Sequence, residues 1–374
     1  MKFTINRDLL LSELNHVSKG LSTKTPMPIL TGIKIAVEMD GLTLTTSNTE
    51  ISIQVKIPKS QYLTIEEVGE CVVPGKYFLE IIRKIDARDV DFAIFEENMI
   101  KILADRSNFT LIGLDKDDYP LINFNDSSEN VVLDGNTLKQ IIKQTSFATG
   151  VSETRIILTG ISFVINENRL TATATDSFRL AKKTIKLPKN YEKISVVVPS
   201  KALDDLNKII DDADEKVYVH LMNNKVLFKY KNISFLTRLI EGTYPDTSSL
   251  IPKEFFTDLK FNKQELISAI DRAALFTVLD AANIVKLTLK SDKVVEIASN
   301  SNEIGKVVEE VYPTECSVLK PFQIAFSSKY FLDAIKSFDS NEITIHFTGE
   351  IKPFVVSGEY DPNLTQLILP VRVS

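Results

Sequence analysis

INRDLLLSELNHVSKGLS, Ile5 to Ser22, returns twice further along the chain: as LDGNTLKQIIKQTSFATG, Leu133 to Gly150, and as FNKQELISAIDRAALFTV, Phe261 to Val278. Leu10, Leu138 and Leu266 stand in register, 128 residues separating each from the next. In every copy polar residues or glycine follow the first residue, and the apolar residues after them are spaced as in a helix, for example Leu138, Ile141 and Ile142. About 65 to 70 residues later each copy carries a second helical pattern: PGKYFLEIIRKI from Pro74, PSKALDDLNKII from Pro199 and SSKYFLDAIKSF from Ser327. Lys76, Lys201 and Lys329 hold one place in all three, and LTGI at Leu30 recurs at Leu158.

A repeat of this length is a domain with its own core, since solenoid turns repeat at roughly 20–50 residues. The 374 residues therefore divide into residues 1–126, 127–253 and 254–374, with linkers at Asn123–Asn130 and Ser249–Asp258. Between the two helices of each copy lie alternating strand patterns with turn residues. In copy one, IKIAVEMDGLTLTTS turns at Asp40-Gly41; in copy two, ISFVINENRLTATAT turns at Asn166 to Asn168; in copy three, VKLTLKSDKVVEIAS turns at Ser291-Asp292. More strands follow each second helix, giving two helices and about eight strands per copy. Amphipathic helices laid on antiparallel sheets make an α+β domain.

Composition narrows the function. An apolar fraction of 44% with 25% charged residues describes a globular protein. The opening MKFTINRD has no apolar core of a leader, and no apolar run reaches the roughly 18 residues of a membrane span, so a cytoplasmic protein is expected. Cys71 and Cys316 fall in different copies and suggest no disulfide framework. His16, His220 and His346 are the only histidines, none at metal-ligand spacing to another. The acidic turn DKDDYP, Asp115 to Pro120, lacks the glycine and distal glutamate of a calcium loop and reads as a solvated turn. No nucleophile motif, phosphate loop or dinucleotide fingerprint occurs. No catalytic residue, cofactor or metal is expected. Two further readings stay open from the residues alone: a non-enzymatic β-rich scaffold that never meets DNA, and an enzyme whose site forms between domains.

MKFTINRDLLLSEL at the start, PMPILTGI at Pro26–Ile33, ATDSFRLA at Ala174–Ala181, EGTYPD at Glu241–Asp246 and LILPVRV at Leu367–Val373 together resemble the bacterial sliding clamp, the β subunit of DNA polymerase III. The resemblance runs the length of the chain in order. It implies three clamp domains per chain, two chains joined head to tail, and a ring that encircles duplex DNA without reading its sequence. It also implies a processivity factor that tethers the replicative polymerase, the clamp loader and repair proteins through short peptide motifs. The net charge of −6 is then compatible with DNA, because the six helical segments carry thirteen basic and nine acidic residues, +4, and the rest of the chain −10. A weakly positive lining suits sliding, since many tight phosphate contacts would pin the protein.

Carried over position by position, the resemblance implies three sites. A partner-peptide groove would comprise Leu158, Thr175, Ser177, Phe178, Arg179, Leu180, Pro245, Leu250, Ile351, Leu367, Leu369, Pro370, Val371 and Arg372. Proline at 370 would end a last strand and turn Val371 and Arg372 toward the surface. DNA would be touched by Lys24, Lys139, Lys143 and Arg155. Ile156 and Ile157 stand where some members carry aromatic residues, and Ser177-Phe178 where some carry Gly-His. The homodimer contact would use Leu275 and Phe276 of copy three against Arg106 and Phe109 of copy one. Glu303, Glu309 and Glu310 would face basic residues across it.

Overall fold

The computed structural model describes every residue except 23–24, 97, 126–129, 152, 212–214, 278–282, 291–292, 302, 318–319 and 373–374. The first copy runs β1 (Lys2–Asn6), α1 (Arg7–Val17), β2 (Gly32–Glu38), β3 (Gly41–Ser47), β4 (Ile51–Pro58), β5 (Leu63–Glu67), β6 (Gly69–Pro74), α2 (Gly75–Lys84), β7 (Asp89–Glu96), β8 (Met99–Ala104) and β9 (Ser107–Ile112). The second runs β10 (Val131–Asp134), α3 (Gly135–Thr145), β11 (Gly160–Thr175), β12 (Arg179–Pro199), α4 (Ser200–Ile209), β13 (Lys216–Leu221), β14 (Lys225–Tyr230) and β15 (Ile233–Arg238). The third runs β16 (Thr257–Asn262), α5 (Lys263–Ala274), β17 (Ile284–Leu289), β18 (Val295–Ser301), β19 (Gly305–Val311), β20 (Glu315–Cys316), β21 (Phe322–Ser327), α6 (Ser328–Lys336), β22 (Glu342–Phe347), β23 (Phe354–Gly358) and β24 (Leu364–Ile368).

Among the described residues six α-helices fall on the six predicted segments, and the polar openings of the repeat act as caps. Asn6 Oδ1 accepts the Leu9 N–H at 3.1 Å, and Asn262 Oδ1 accepts those of Gln264 and Glu265 at 3.0 and 3.1 Å. Leu10, Leu138 and Leu266, the register marks of the repeat, are all buried. The repeated LTGI glycine has a packing cause. A Cβ on Gly32 would meet Val72 Cγ1 at 2.4 Å, and one on Gly160 would meet Val197 Cγ1 at 2.6 Å.

The predicted turn at Asn166 to Asn168 takes another form. Gly160–Thr175 is one continuous β element whose two halves pair with opposite ends of β12, Gly160–Ile165 with Ile194–Pro199 and Arg169–Thr175 with Leu180–Lys186. The register breaks at Glu167, whose φ of +53° absorbs the change of direction. Copies one and three each hold nine strands among the described residues, because the segment before the first helix also pairs into a sheet. The predicted turn at Ser291-Asp292 lies outside the described residues.

Compactness divides the chain differently from its repeats. One unit comprises Met1–Leu138 with Asp204–Leu239, the other Lys139–Leu203 with Ile240–Ser374. The cause is that sheets run through the copy boundaries. In the first unit a sheet ordered β10-β13-β14-β15-β4-β3-β2-β6 joins copies one and two through β4 and β15, beside a five-stranded sheet β5-β1-β7-β8-β9. In the second unit a sheet ordered β11-β12-β24-β23-β22-β16-β20 joins copies two and three through β12 and β24, beside a four-stranded sheet β19-β18-β17-β21. The two joints share one register. Ile51 faces Thr237 and Val55 faces Ile233 in the first; Arg179 faces Ile368 and Lys183 faces Leu364 in the second. Ile51 and Arg179 are 128 residues apart, the interval of the repeat.

Candidate functional site

The second joint builds a surface bed from the hairpin between β11 and β12 and the end of β24. Asp176 shapes the hairpin tip: its Oδ1 accepts the N–H groups of Phe178 and Arg179 at 2.9 and 3.0 Å, while Ser177 takes a left-handed φ of +79°. Such a backbone favours glycine, so serine here stores some strain. Leu369 N–H donates to Phe178 O at 2.9 Å, extending the joint one step beyond β24. Val371 N–H then donates to Ala325 O at 2.7 Å. Past Pro370 the chain leaves the sheet, with Val371 half-buried and Arg372 exposed, as the sequence suggests.

The expected groove residues separate into a floor and a rim. Leu158, Thr175, Leu180 and Leu367 are buried; Leu180 and Leu367 pack with Val355 and the half-buried Ile251. Exposed above them are apolar side chains: Phe178 at 60%, Leu250 at 51% and Leu369 at 38%. Pro245 is exposed beside Tyr244, whose hydroxyl accepts the Thr175 N–H at 3.1 Å. Ile351, 67% exposed, occupies the turn between β22 and β23. Exposed aliphatic and aromatic groups over a few fixed polar ones are what a peptide groove requires.

Arg179, expected among the groove residues, is anchored on several sides. It is buried, with Nε donating to Asp176 at 3.0 Å and a terminal nitrogen to Asp333 at 2.7 Å. Its other terminal nitrogen donates to Phe147 O, and the guanidinium lies 4.4 Å from the Tyr330 ring centroid. Phe178 stacks on the other part of this assembly, its ring 6.4 Å from that of Tyr330. Arg179 thus holds the hairpin tip to α6, and Phe178 presents the aromatic surface. Sequence gave no sign of Tyr330, Phe147 or Asp333, which lie far along the chain.

Of the residues expected to touch DNA, Lys24 lies outside the described residues. Arg155 is exposed, and its guanidinium donates to Ser177 Oγ at 3.3 Å, at the tip of the hairpin between β11 and β12. Ile156 is exposed beside it and Ile157 half-buried. Lys139 and Lys143 project from α3. Lys143 is bound to Asp339 at 3.0 Å, and Gln140 donates to the same carboxylate at 3.0 Å. The Lys143 hydrogen bond, with a smaller one from Gln140, holds the Asp339 carboxyl below its usual range.

The expected dimer residues cluster at two sheet edges. Strand β9, carrying the half-buried Phe109, ends one sheet and follows the exposed Arg106. Strand β19, carrying Glu309 and Glu310, ends another. Leu275 is 63% exposed in the turn after α5, so it is no core residue; Phe276 is half-buried. Glu309 is already committed within its own chain, taking two hydrogen bonds from Arg272 at 3.0 and 2.7 Å, and Arg272 holds its carboxyl below the usual range. Glu303 and Glu310 are exposed.

The chain matches the family models of the DNA polymerase III beta subunit: the N-terminal domain at residues 1–123, the central domain at 132–246 and the C-terminal domain at 248–372. The chain belongs to this family. It is 42% identical over 376 aligned positions to the "Beta sliding clamp" of Staphylococcus aureus, covering 100% of this chain and 99% of the relative. The sliding clamp structure from Bacillus subtilis superposes with a TM-score of 0.96 at 40% identity, and the DNA polymerase III beta chain from Streptococcus pneumoniae with 0.96 at 36%, each covering both chains in full.

One cluster in this clamp-family chain resembles catalytic machinery. His346 Nδ1 lies 2.7 Å from Asp258 Oδ1, and its Nε2 lies 2.7 Å from Ser357 Oγ. Sequence distance concealed this chain of acid, imidazole and hydroxyl, which adjacent strands β16, β22 and β23 bring together. Acyl transfer also needs converging N–H donors beside the nucleophile. Ser357 lies inside β23, opposite Thr344, where strand amides point alternately to opposite sides and do not converge. The cluster is a cross-strand hydrogen-bond network. Among the described residues no three His, Cys, Asp or Glu side chains gather as metal ligands, and no helix is long and apolar enough to cross a membrane.

Proposed function

We propose that this chain is a processivity clamp: a homodimeric ring that encircles duplex DNA, slides without sequence preference, and tethers the replicative polymerase, the clamp loader and repair proteins. The observation that carries the ring is the repeated joint. Two copy boundaries use the same strands in the same register, and the equivalent strands left over are β19 and β9. Superimposing the repeat pairs Gly305 with Leu111, Val307 with Phe109 and Glu309 with Ser107. Leu275 and Phe276 would cover this seam. The contact is heterologous, and we read its rotation as one that closes two chains of three domains through two such seams into a ring of six. On this reading each chain contributes three domains, 1–126, 127–253 and 254–374.

The groove over Leu180 and Leu367 receives the apolar anchors of partner peptides, with Phe178, Leu250 and Leu369 as its contact surface. Lys24, Lys139, Lys143 and Arg155 approach phosphates. The test is topological. With a clamp loader present, the protein should remain on nicked circular DNA and be lost when that DNA is linearised. Equal loss from both forms would sink the ring reading and favour a scaffold not bound to DNA.

A further inference from the structure

The first joint carries a surface feature that the groove at the second does not account for. A cavity of about 1000 Å³ opens over the sheet of the first unit, beside the segment Tyr119–Asn125. Its volume is at the upper end for a ligand site. The same dipeptide stands at both joints: Tyr119-Pro120 here, Tyr244-Pro245 at the groove. Tyr119 is buried and donates its hydroxyl to Thr45 O at 3.2 Å, which fastens the segment to the sheet and holds one wall in place.

The floor crosses six neighbouring strands, from Lys229 on β14 through Ser234 on β15, Gln54 and Lys56 on β4, Thr43 on β3 and Lys34 on β2 to Glu70 on β6. Five interstrand gaps make about 24 Å. An extended peptide of about seven residues covers that distance. Thr43, Gln54 and Ser234 are half-buried, and their side chains have no hydrogen-bond partner among the described residues.

Charge is graded along the floor. Lys34 is neutralised by Glu70 at 3.0 Å, and Lys231 by Asp211 at 2.7 Å. Lys56, on β4, is exposed without a partner among the described residues, on the side of Lys229 and Lys231; Glu38 lies on β2, two strands further toward Glu70. The wall adds apolar surface in half-buried Ile122 and Phe124 and fully exposed Leu121.

We propose that this cavity is a second partner site, taking an extended acidic peptide segment that carries an apolar residue. The acidic residues sit on the Lys56 side, the apolar residue against Leu121 and Phe124, and the peptide amides meet the free hydroxyls and amide of the floor. The peptide lies across the strands and not along an edge, so recognition runs through side chains. A nucleic acid strand is disfavoured because its phosphates would continue past Glu38 and Glu70. The proposal depends neither on ring closure nor on the groove at the second joint.

The test uses a fluorescein-labelled heptapeptide with three acidic residues and one leucine, its lysine-for-acid counterpart, and an oligothymidylate of seven nucleotides. Polarisation titrations with the full chain should detect the acidic peptide alone. Lys56→Glu should weaken it about tenfold, Leu121→Ser should weaken it less, and Phe178→Ala in the other groove should leave it unchanged. Equal binding of the basic peptide, binding of the oligonucleotide alone, or an unmoved affinity in Lys56→Glu would each overturn the assignment. Loss on Phe178→Ala would do so too, by moving the peptide to the second joint.

Discussion

The two joints share a backbone and differ in almost everything they show to solvent. Arg238 N–H reaches Glu50 O in the first as Leu369 N–H reaches Phe178 O in the second, so Glu50 and Phe178 are equivalent positions, as are Arg238 and Leu369. Where one joint has an acid and a base, the other has two apolar side chains. Beneath them Ser52 matches Leu180, and Ile51 matches Arg179. Ladder register follows from the alternation of buried and exposed residues. What a joint binds follows from the few residues on its outer face.

The largest effect separates the free edges from the joined ones. Leu275→Ala with Phe276→Ala should convert the dimer into a folded monomer in light scattering, because an edge contact loses its apolar cover. Val308→Pro should do the same by breaking the proposed ladder at Asn108, since in this register the Val308 N–H points away from β18. A dimer that survives both substitutions would show that β19 and β9 do not form the third kind of joint.

Next is the buried cation of the second joint. Arg179→Ala leaves Asp176 and Asp333 without their shared partner, and removing one member of a buried pair costs about 3 kcal/mol. Ile51→Val at the equivalent place in the first joint should cost about 1 kcal/mol. Urea denaturation of the two variants measures the contrast. Equal losses would mean that solvent already screens the Arg179 network.

A third experiment exchanges surfaces and leaves the ladder alone. Phe178→Glu with Leu369→Arg copies the outer pair of the first joint onto the second. Binding of a polymerase-derived peptide with apolar anchors should fall about a hundredfold, some 3 kcal/mol, while the dimer persists. Calorimetric titration that finds the affinity unchanged would place the anchors elsewhere.

Much of this was legible in the sequence because it rests on periodicity. The three copies, the six helices and the Leu10–Leu138–Leu266 core positions all follow from which residues recur at which interval. The partner of an outer strand does not follow. Alternation tells that β4 and β12 each have a buried face, but not that β4 borrows β15 and β12 borrows β24 from the next copy. Arg179 was legible as part of a motif, yet its burial depends on Asp333 and Tyr330, some 150 residues away in sequence. The Asp258–His346–Ser357 network was hidden for the same reason. Periodicity reports that a residue is covered, and the covering groups come from elsewhere.

The smallest effect concerns charge on the helices. Lys19, Lys76, Lys84 and Lys329 are exposed and have no partner among the described residues, whereas Lys143 is held by Asp339 at 3.0 Å and Lys208 by Asp205 at 2.8 Å. A paired lysine must leave its carboxylate to meet a phosphate, so it adds little to the salt dependence of DNA binding. Asp339→Asn should free Lys143 and steepen the dependence of log affinity on log salt by about 0.9. The same substitution should cost under about 1 kcal/mol of stability, because both side chains are half exposed. The sign with pH follows from the depressed Asp339 carboxyl. Its contribution is present above the ordinary carboxylate pKa and is lost as acid carries the pH down through the folded value. The stability difference between Asp339→Asn and the parent should therefore shrink below about pH 4. A salt slope unchanged by Asp339→Asn but reduced by Lys76→Ala would leave Lys143 committed to its ion pair and assign the phosphate contacts to the free lysines.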